Sequence, residues 1–338
     1  MGETVPSNPK PLSPEWAPNA ASCADFIAAW GTGPKYGAAV SNATFARAAL
    51  GLLRSMRPHQ WVKNLFVLAP LVFAQELGNT ERLLRSLAAF ALFCLASSTV
   101  YLLNDLTDAD ADRAHPVKRS RPIASGVVSR ELAQRVIALF AAGSVGGAFV
   151  LSTGFGAAIL GYLVLNIAYS SRLKRMAYVD VFCIAIGFEL RVLGGALAAG
   201  VPPSGYLLVV TLLLALFLGF GKRMHELVQG EKAHEQRSVL RSYDSKKLAW
   251  LLRVTSTLTV LTYAVYTLDA HTRAMFRTDY LVVTTVFTAF GVARFLKLVR
   301  THAEAESPTE QMLRDAPFLL NLGLWVATVL VLIYGTAA

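Results

Sequence analysis

The chain has 338 residues, 54% of them hydrophobic and 16% charged, with a mean hydropathy of +0.46. A soluble domain needs more polar surface than that, so the composition excludes an ordinary globular protein and predicts an all-α, polytopic membrane protein built as one helical bundle. The formal charge of +10 would suit nucleic acid, but the basic residues fall in short links between apolar stretches. Anionic lipid headgroups and phosphorylated ligands are therefore the expected partners.

Residues 1–41 are rich in Pro, Gly, Ser, Asn and Ala with no sustained period, which predicts a disordered cytoplasmic tail. No basic stretch leads directly into an apolar one there, so no cleaved signal peptide is expected. From 42 to 57 one side is apolar and the other basic, as in a helix lying in the membrane interface at the start of a 42–338 transmembrane domain. Cys23, Cys94 and Cys183 are scattered and suggest neither a disulfide framework nor a zinc site.

Apolar windows of roughly twenty residues predict nine spans, near 62–78, 84–104, 132–152, 155–171, 180–200, 205–221, 248–268, 280–298 and 317–336. Links on one side, with the N-terminal segment, hold 24 Lys and Arg; the opposite links hold four, Arg82, Arg85, Arg273 and Arg277. The positive-inside rule then places the N-terminus and the basic side in the cytoplasm.

The second span runs out into N-D-L-T-D-A-D-A-D, residues 104–112. On a continuous helix Asp105, Asp108 and Asp112, at i, i+3 and i+7, share one face, while Asp110 points away into solvent. Like charges so close need a cation, and clustered oxygens of this kind suit a hard divalent metal. Carboxylates also sit badly at a helix C-terminus unless something positive holds them. Asn104 is placed to cap or orient a neighbour. The following R-A-H-P-V-K-R-S-R-P is densely basic, and Arg119 and Arg121 lead into P-I-A-S-G, a constrained loop suited to fixing guanidinium groups against phosphate. Arg57, Lys63 and Lys118 add base at the same end.

The fourth span ends and the fifth begins in Y-S-S-R-L-K-R-M-A-Y-V-D, 169–180. Lys174 and Arg175 reach an anion at the membrane surface, and Asp180 opens the next helix, where the dipole favours it. Glu189 and Arg191 lie deep in an apolar stretch, where charge either pairs across a cavity or lines one for a ligand; both readings stand. Lys222, Arg223 and Glu226 end the sixth span at helical spacing. The charges of 231–247 read as a solvated loop.

Taken together, these segments resemble the UbiA superfamily of membrane prenyltransferases. Its N-D-x-x-D-x-x-x-D motif is matched by Asn104, Asp105, Asp108 and Asp112, and its tyrosine and lysine after the fourth span by Tyr169 and Lys174, so the resemblance covers about 50–336. It implies a nine-helix bundle with a cytoplasmic active-site cavity and Mg2+ held by the three aspartates. A second acidic motif, common after the sixth span in members acting on aromatic acceptors, is replaced here by K-R-M-H-E. With R-P-H-Q-W-V-K-N, D-R-A-H-P-V-K-R-S-R-P-I-A-S-G and D-V-F-C-I-A-I-G-F-E-L-R, that departure resembles the branch that moves 5-phosphoribose from phosphoribosyl pyrophosphate (PRPP) to polyprenyl (decaprenyl) phosphate for cell-wall arabinan precursors. The resemblance then implies Lys118, Arg119, Arg121 and Lys174 on PRPP phosphates. Arg57, Lys63, Lys222 and Arg223 would serve either anion, Asp180 a ribose hydroxyl or a second metal, and Arg191 the substrate cavity. The alternatives are an aromatic prenyltransferase or a transporter. An inner (plasma) membrane location is expected, and a homo-oligomer stays open.

Overall fold

The structure is a computed structural model that describes residues 34–228, 238–301 and 308–335. Most of the predicted tail, with Cys23, lies outside the described residues. The chain divides into a first unit ending at Gly51 and a second from Leu52 onward. Helix α1 (Pro34–Met56) begins eight residues before the predicted start at 42, and Phe45 and Leu50 on it are exposed.

Among the described residues the second unit is helical throughout, without strands. Its helices are α2 (Ala69–Phe73), α3 (Thr80–Thr107), α4 (Ala109–Ala114), α5 (Arg130–Leu151), α6 (Thr153–Ser171), α7 (Val179–Ala199), α8 (Gly205–Val228), α9 (Ser245–Leu268), α10 (Ala270–Phe276), α11 (Thr285–Thr301), α12 (Pro308–Met312) and α13 (Ala316–Tyr334). Among the described residues eight helical stretches are long and apolar enough to cross a membrane, counting Tyr280–Arg300 as one, and each lies within a few residues of a predicted span. The protein is a multi-pass membrane protein.

The expected count of nine is corrected to eight by the first window, 62–78. Arg57 turns the chain in the left-handed region (φ 54°, ψ 62°), and Pro58–Val67 then winds as a 3-10 helix. Only the five residues of α2 follow before Gln75, again at positive φ. Pro70, without an N–H, cannot extend an α-ladder from the residues before it. The segment instead lies antiparallel along α3. The Trp61 indole donates to Ser98 Oγ (3.2 Å), and Asn64 Nδ2 donates to Ser97 Oγ (3.1 Å) and Cys94 Sγ (3.3 Å). At the far end Gln75 donates to the Ile333 carbonyl and Glu76 pairs with Arg82.

This packing needs a bare backbone on α7. A Cβ on Gly195 would sit 2.0 Å from the Val67 carbonyl oxygen, and that oxygen belongs to a backbone that cannot rotate away. Gly195→Ala is therefore expected to cost more than the roughly 1–3 kcal/mol usual for overpacking. Gly143→Ala, where a Cβ meets nothing within 4 Å, should stabilise by up to about 1 kcal/mol. Thermal unfolding in detergent compares the two.

Short capped links make successive helices antiparallel. Ser152 accepts the Phe155 N–H to start α6 while its hydroxyl donates to the Leu197 carbonyl, and Gly200 (φ 67°) ends α7. Asp244 and Asp315 cap α9 and α13 in the same way. One end of the bundle joins Arg85 to the Leu151 and Ala198 carbonyls. The other gathers the ends of α3, α6 and α8 with the starts of α5, α7 and α9, which is the basic end of the sequence. Membrane windows of α3 and α7 are 56% buried against 11% for α5 and α13, so α3 and α7 form the centre and the outer two face lipid. Exposed Leu139, Val150, Leu320 and Val331 give those faces to the bilayer.

Candidate active site

At the basic end α3 stops at Asp108 (φ −90°, ψ 0°) and α4 restarts at Ala109, so the acidic run is not the continuous helix its spacing predicts. Asp105 and Asp112 nevertheless converge. Arg121 Nη1 lies 2.7 Å from Asp112 Oδ2 and 3.3 Å from Asp105 Oδ1, and Arg57 Nη2 donates to the same Asp105 oxygen at 2.7 Å. Both carboxylates are buried, while the two guanidinium groups keep about a third of their side-chain surface in solvent. Asp108 is half-buried with no ion pair among the described residues, and Asn104 is half-buried beside it.

Arg57 is steadied by the Tyr101 ring, 5.1 Å from its guanidinium carbon. Arg121 opens the predicted constrained loop. Its carbonyl accepts the Ser125 N–H, Val128 N–H bonds Pro122, Gly126 takes φ 79°, and Ile123, Ala124 and Val128 are buried. Lys118 and Arg119 stand exposed on a 3-10 turn whose start is held by His115 Nδ1. Asp110 faces outward as expected but is not merely solvated. It binds Arg130 and Arg113, and the hydrogen bond from Arg130 holds its carboxyl below the usual carboxylate range.

A second cluster lies at the same end. Asp180, fully buried, pairs with the equally buried Arg223 (Nε to Oδ2, 2.7 Å), and Arg223 also binds Glu226. The Tyr243 phenol donates to Asp180 and accepts the Tyr178 N–H. Burial, and then that bond to Asp180, push the Tyr243 phenol above its ordinary value, so it stays a donor. Tyr178 sits at φ 68°, its ring 4.7 Å from that of Tyr243 and 4.6 Å from the Lys247 ammonium. Asp180 and Arg223, both expected to meet ligands, are paired with each other. Tyr243 was missed because its sequence surroundings read as a solvated loop. Tyr169 lies within electrostatic reach of Arg223, and Lys174 and Lys222 are half-buried nearby in sequence.

Further into the bundle Arg191 is buried without any ion pair among the described residues. Its Nε donates to Asn64 Oδ1 (2.8 Å), Nη1 to the Gly187 carbonyl (2.7 Å) and Nη2 to Tyr162 (3.1 Å). Glu189, on the other side of α7, leaves Oε1 buried without a hydrogen bond. The ion pair that these two charges suggested, with each other or across the bundle, is not formed among the described residues. Lys63, on the 3-10 segment, is half-buried.

No three His, Cys, Asp or Glu side chains are gathered into a ready metal site among the described residues. The donor chemistry still fits a hard divalent cation: two of the three carboxylates already share positive charge, and the third has no ion pair among the described residues.

Among the described residues, eight membrane-length helices carry interleaved acids and guanidinium groups at one end, which makes this a membrane protein with a charged site at one face. The chain belongs to the UbiA prenyltransferase family, whose model matches residues 64–335. It is similar to decaprenyl-phosphate phosphoribosyltransferase of Mycolicibacterium smegmatis, 32% identical over 84% of this chain and 92% of that one. The enzyme of the same name from Mycobacterium tuberculosis H37Rv is 33% identical over 84% and 94%. A UbiA homolog from Archaeoglobus fulgidus, solved bound to DMAPP and Mg2+, shares the fold (TM-score 0.60, 19% identity, 84% of this chain and 99% of that one).

Proposed function

We propose that the protein transfers 5-phosphoribose from PRPP to a polyprenyl phosphate, releasing pyrophosphate and leaving a lipid-linked phosphoribose. The observation that carries this reading is the interleaving of Asp105 and Asp112 with Arg57 and Arg121, because two anionic substrates need base beside the acids. The names of the mycobacterial relatives support it.

The C1–O bond to pyrophosphate breaks, its electron pair leaving with pyrophosphate, and a lipid phosphate oxygen forms the new C1–O bond on the opposite face. Ribose passes through an oxocarbenium-like state, and C1 inverts. A phosphate oxyanion is already a competent nucleophile, so no side chain needs to take a proton. Asp105, Asp108 and Asp112 would hold Mg2+, which supplies Lewis-acid neutralisation of the leaving group when bound. Arg121, Lys118, Arg119 and Lys174 bind PRPP phosphates, and Arg57, Lys63 and Lys222 balance either anion. Asn104 and Tyr169 line the site. Asp180 and Arg223, occupied with one another, hold α7 and α8 in register behind it. The active end faces the cytoplasm across the inner (plasma) membrane, where PRPP is available.

Purified protein given PRPP, polyprenyl phosphate and Mg2+ should form pyrophosphate and a lipid-linked phosphoribose. Prenylation of an aromatic acceptor from a prenyl diphosphate, without that product, would sink the proposal. Arg119→Ala, losing one charge-assisted contact, should raise the KM for PRPP about tenfold and that for lipid far less. The reverse pattern would remove Arg119 from the PRPP site.

A further inference from the structure

An arginine cannot shed its proton, and a buried charge is costly unless an opposite charge compensates it. Arg191 lies on α7, eleven residues past Asp180, about 16 Å along the helix at 1.5 Å per residue. Its side chain is 6% exposed. Each group it bonds is neutral: an amide oxygen, a carbonyl and a phenol. Phe188 and Tyr162 present rings at 5.3 and 4.7 Å from the guanidinium carbon, a partial compensation only. Of its five N–H groups, two make no hydrogen bond among the described residues.

The position of this charge relative to the acidic cluster follows from α3. Arg57 binds Asp105 and rests on the Tyr101 ring, and Arg191 is within electrostatic reach of the same Tyr101. The order inward is thus carboxylates, Arg57, Tyr101, Arg191. Arg191 thus stands about one helix turn deeper than Arg57 on the inner side of Tyr101, with the Phe93, Tyr162 and Phe188 rings around its guanidinium.

We propose that Arg191 supplies the unbalanced positive charge that selects a lipid bearing a phosphate over the same lipid bearing an alcohol, drawing the acceptor's head group in beneath the acidic cluster. This rests on the transferase reading for its biological meaning, but the charge preference is measurable without transfer.

The experiment offers purified protein, without PRPP, equal amounts of a polyprenyl phosphate and the polyprenol of the same length, and quantifies retained lipid by mass spectrometry. The wild type should retain the phosphate at least tenfold over the alcohol. Arg191→Gln should lose that preference while still retaining the alcohol, and Arg191→Lys should keep several-fold of it. Asn64→Asp offers an independent route, since it places a carboxylate where Asn64 Oδ1 now meets Arg191 Nε and cancels the charge without removing the arginine; it too should lose the preference. Equal retention of both lipids by the wild type, or full preference surviving in either Arg191→Gln or Asn64→Asp, overturns the inference. Preference without transfer of phosphoribose would defeat the transferase reading and leave Arg191 in place; transfer without preference would do the opposite.

Discussion

Asp108→Asn is expected to lower the formation of lipid-linked phosphoribose by on the order of 10³-fold, equivalent to about 4 kcal/mol of lost leaving-group stabilisation. Asp108 makes this the cleanest test, because it has no ion pair among the described residues to break and its loss should leave the melting temperature unchanged. Asp105→Asn should lower turnover as much, with a stability change of only about 1 kcal/mol, since Arg57 and Arg121 are partly exposed and can turn to water. Activity and thermal unfolding measured on the same preparations separate chemistry from folding. Full activity in Asp108→Asn would remove the metal-holding role from the acidic run.

The opposite behaviour is expected at Asp180–Arg223. Both partners are buried, so Arg223→Met leaves the Asp180 carboxylate with only the uncharged Tyr243 phenol and Val181 N–H as donors and should cost about 3–5 kcal/mol. Adding Asp180→Asn removes the stranded charge and should recover a large part of that loss, which a double-mutant cycle would read as strong coupling. Simple additivity of the two changes would mean that the pair is not held as described. Tyr243→Phe, which removes one donor to Asp180, should destabilise by about 1–3 kcal/mol.

Hydropathy made eight helices legible because lipid-facing α5 and α13 and central α3 and α7 are alike apolar over membrane length. The first expected span, 62–78, failed for a local reason: an apolar window reports composition, while the backbone turns at Arg57 and Gln75 at positive φ and the prolines at 58 and 70 keep it from winding as one α-helix. The acidic motif was legible from spacing, although the helix breaks at Asp108 within it. Its union with Arg121 was partly so, since base dense enough to reach the acids followed them directly. The pairing of Asp180 with Arg223 was not legible, because a charge at a helix end looks the same whether it meets ligand or another side chain 43 residues away. Tyr243 carried no signal at all, as a single tyrosine among charges has no period.

The 3-10 segment has a dynamic consequence. Its i→i+3 hydrogen bonds are poorer in geometry than those of an α-helix, and only Asn64 and Val67 of Pro58–Val67 are buried, so this strip is expected to open before the long helices do. Arg57, which steadies Asp105, is its first anchor, and Asn64, which steadies Arg191, lies in its middle. On warming, this strip loosens while the long helices still hold, and both charges lose their settings together. Inactivation therefore precedes unfolding, and hydrogen exchange in 58–67 should track the loss of activity more closely than the melting of the bundle does.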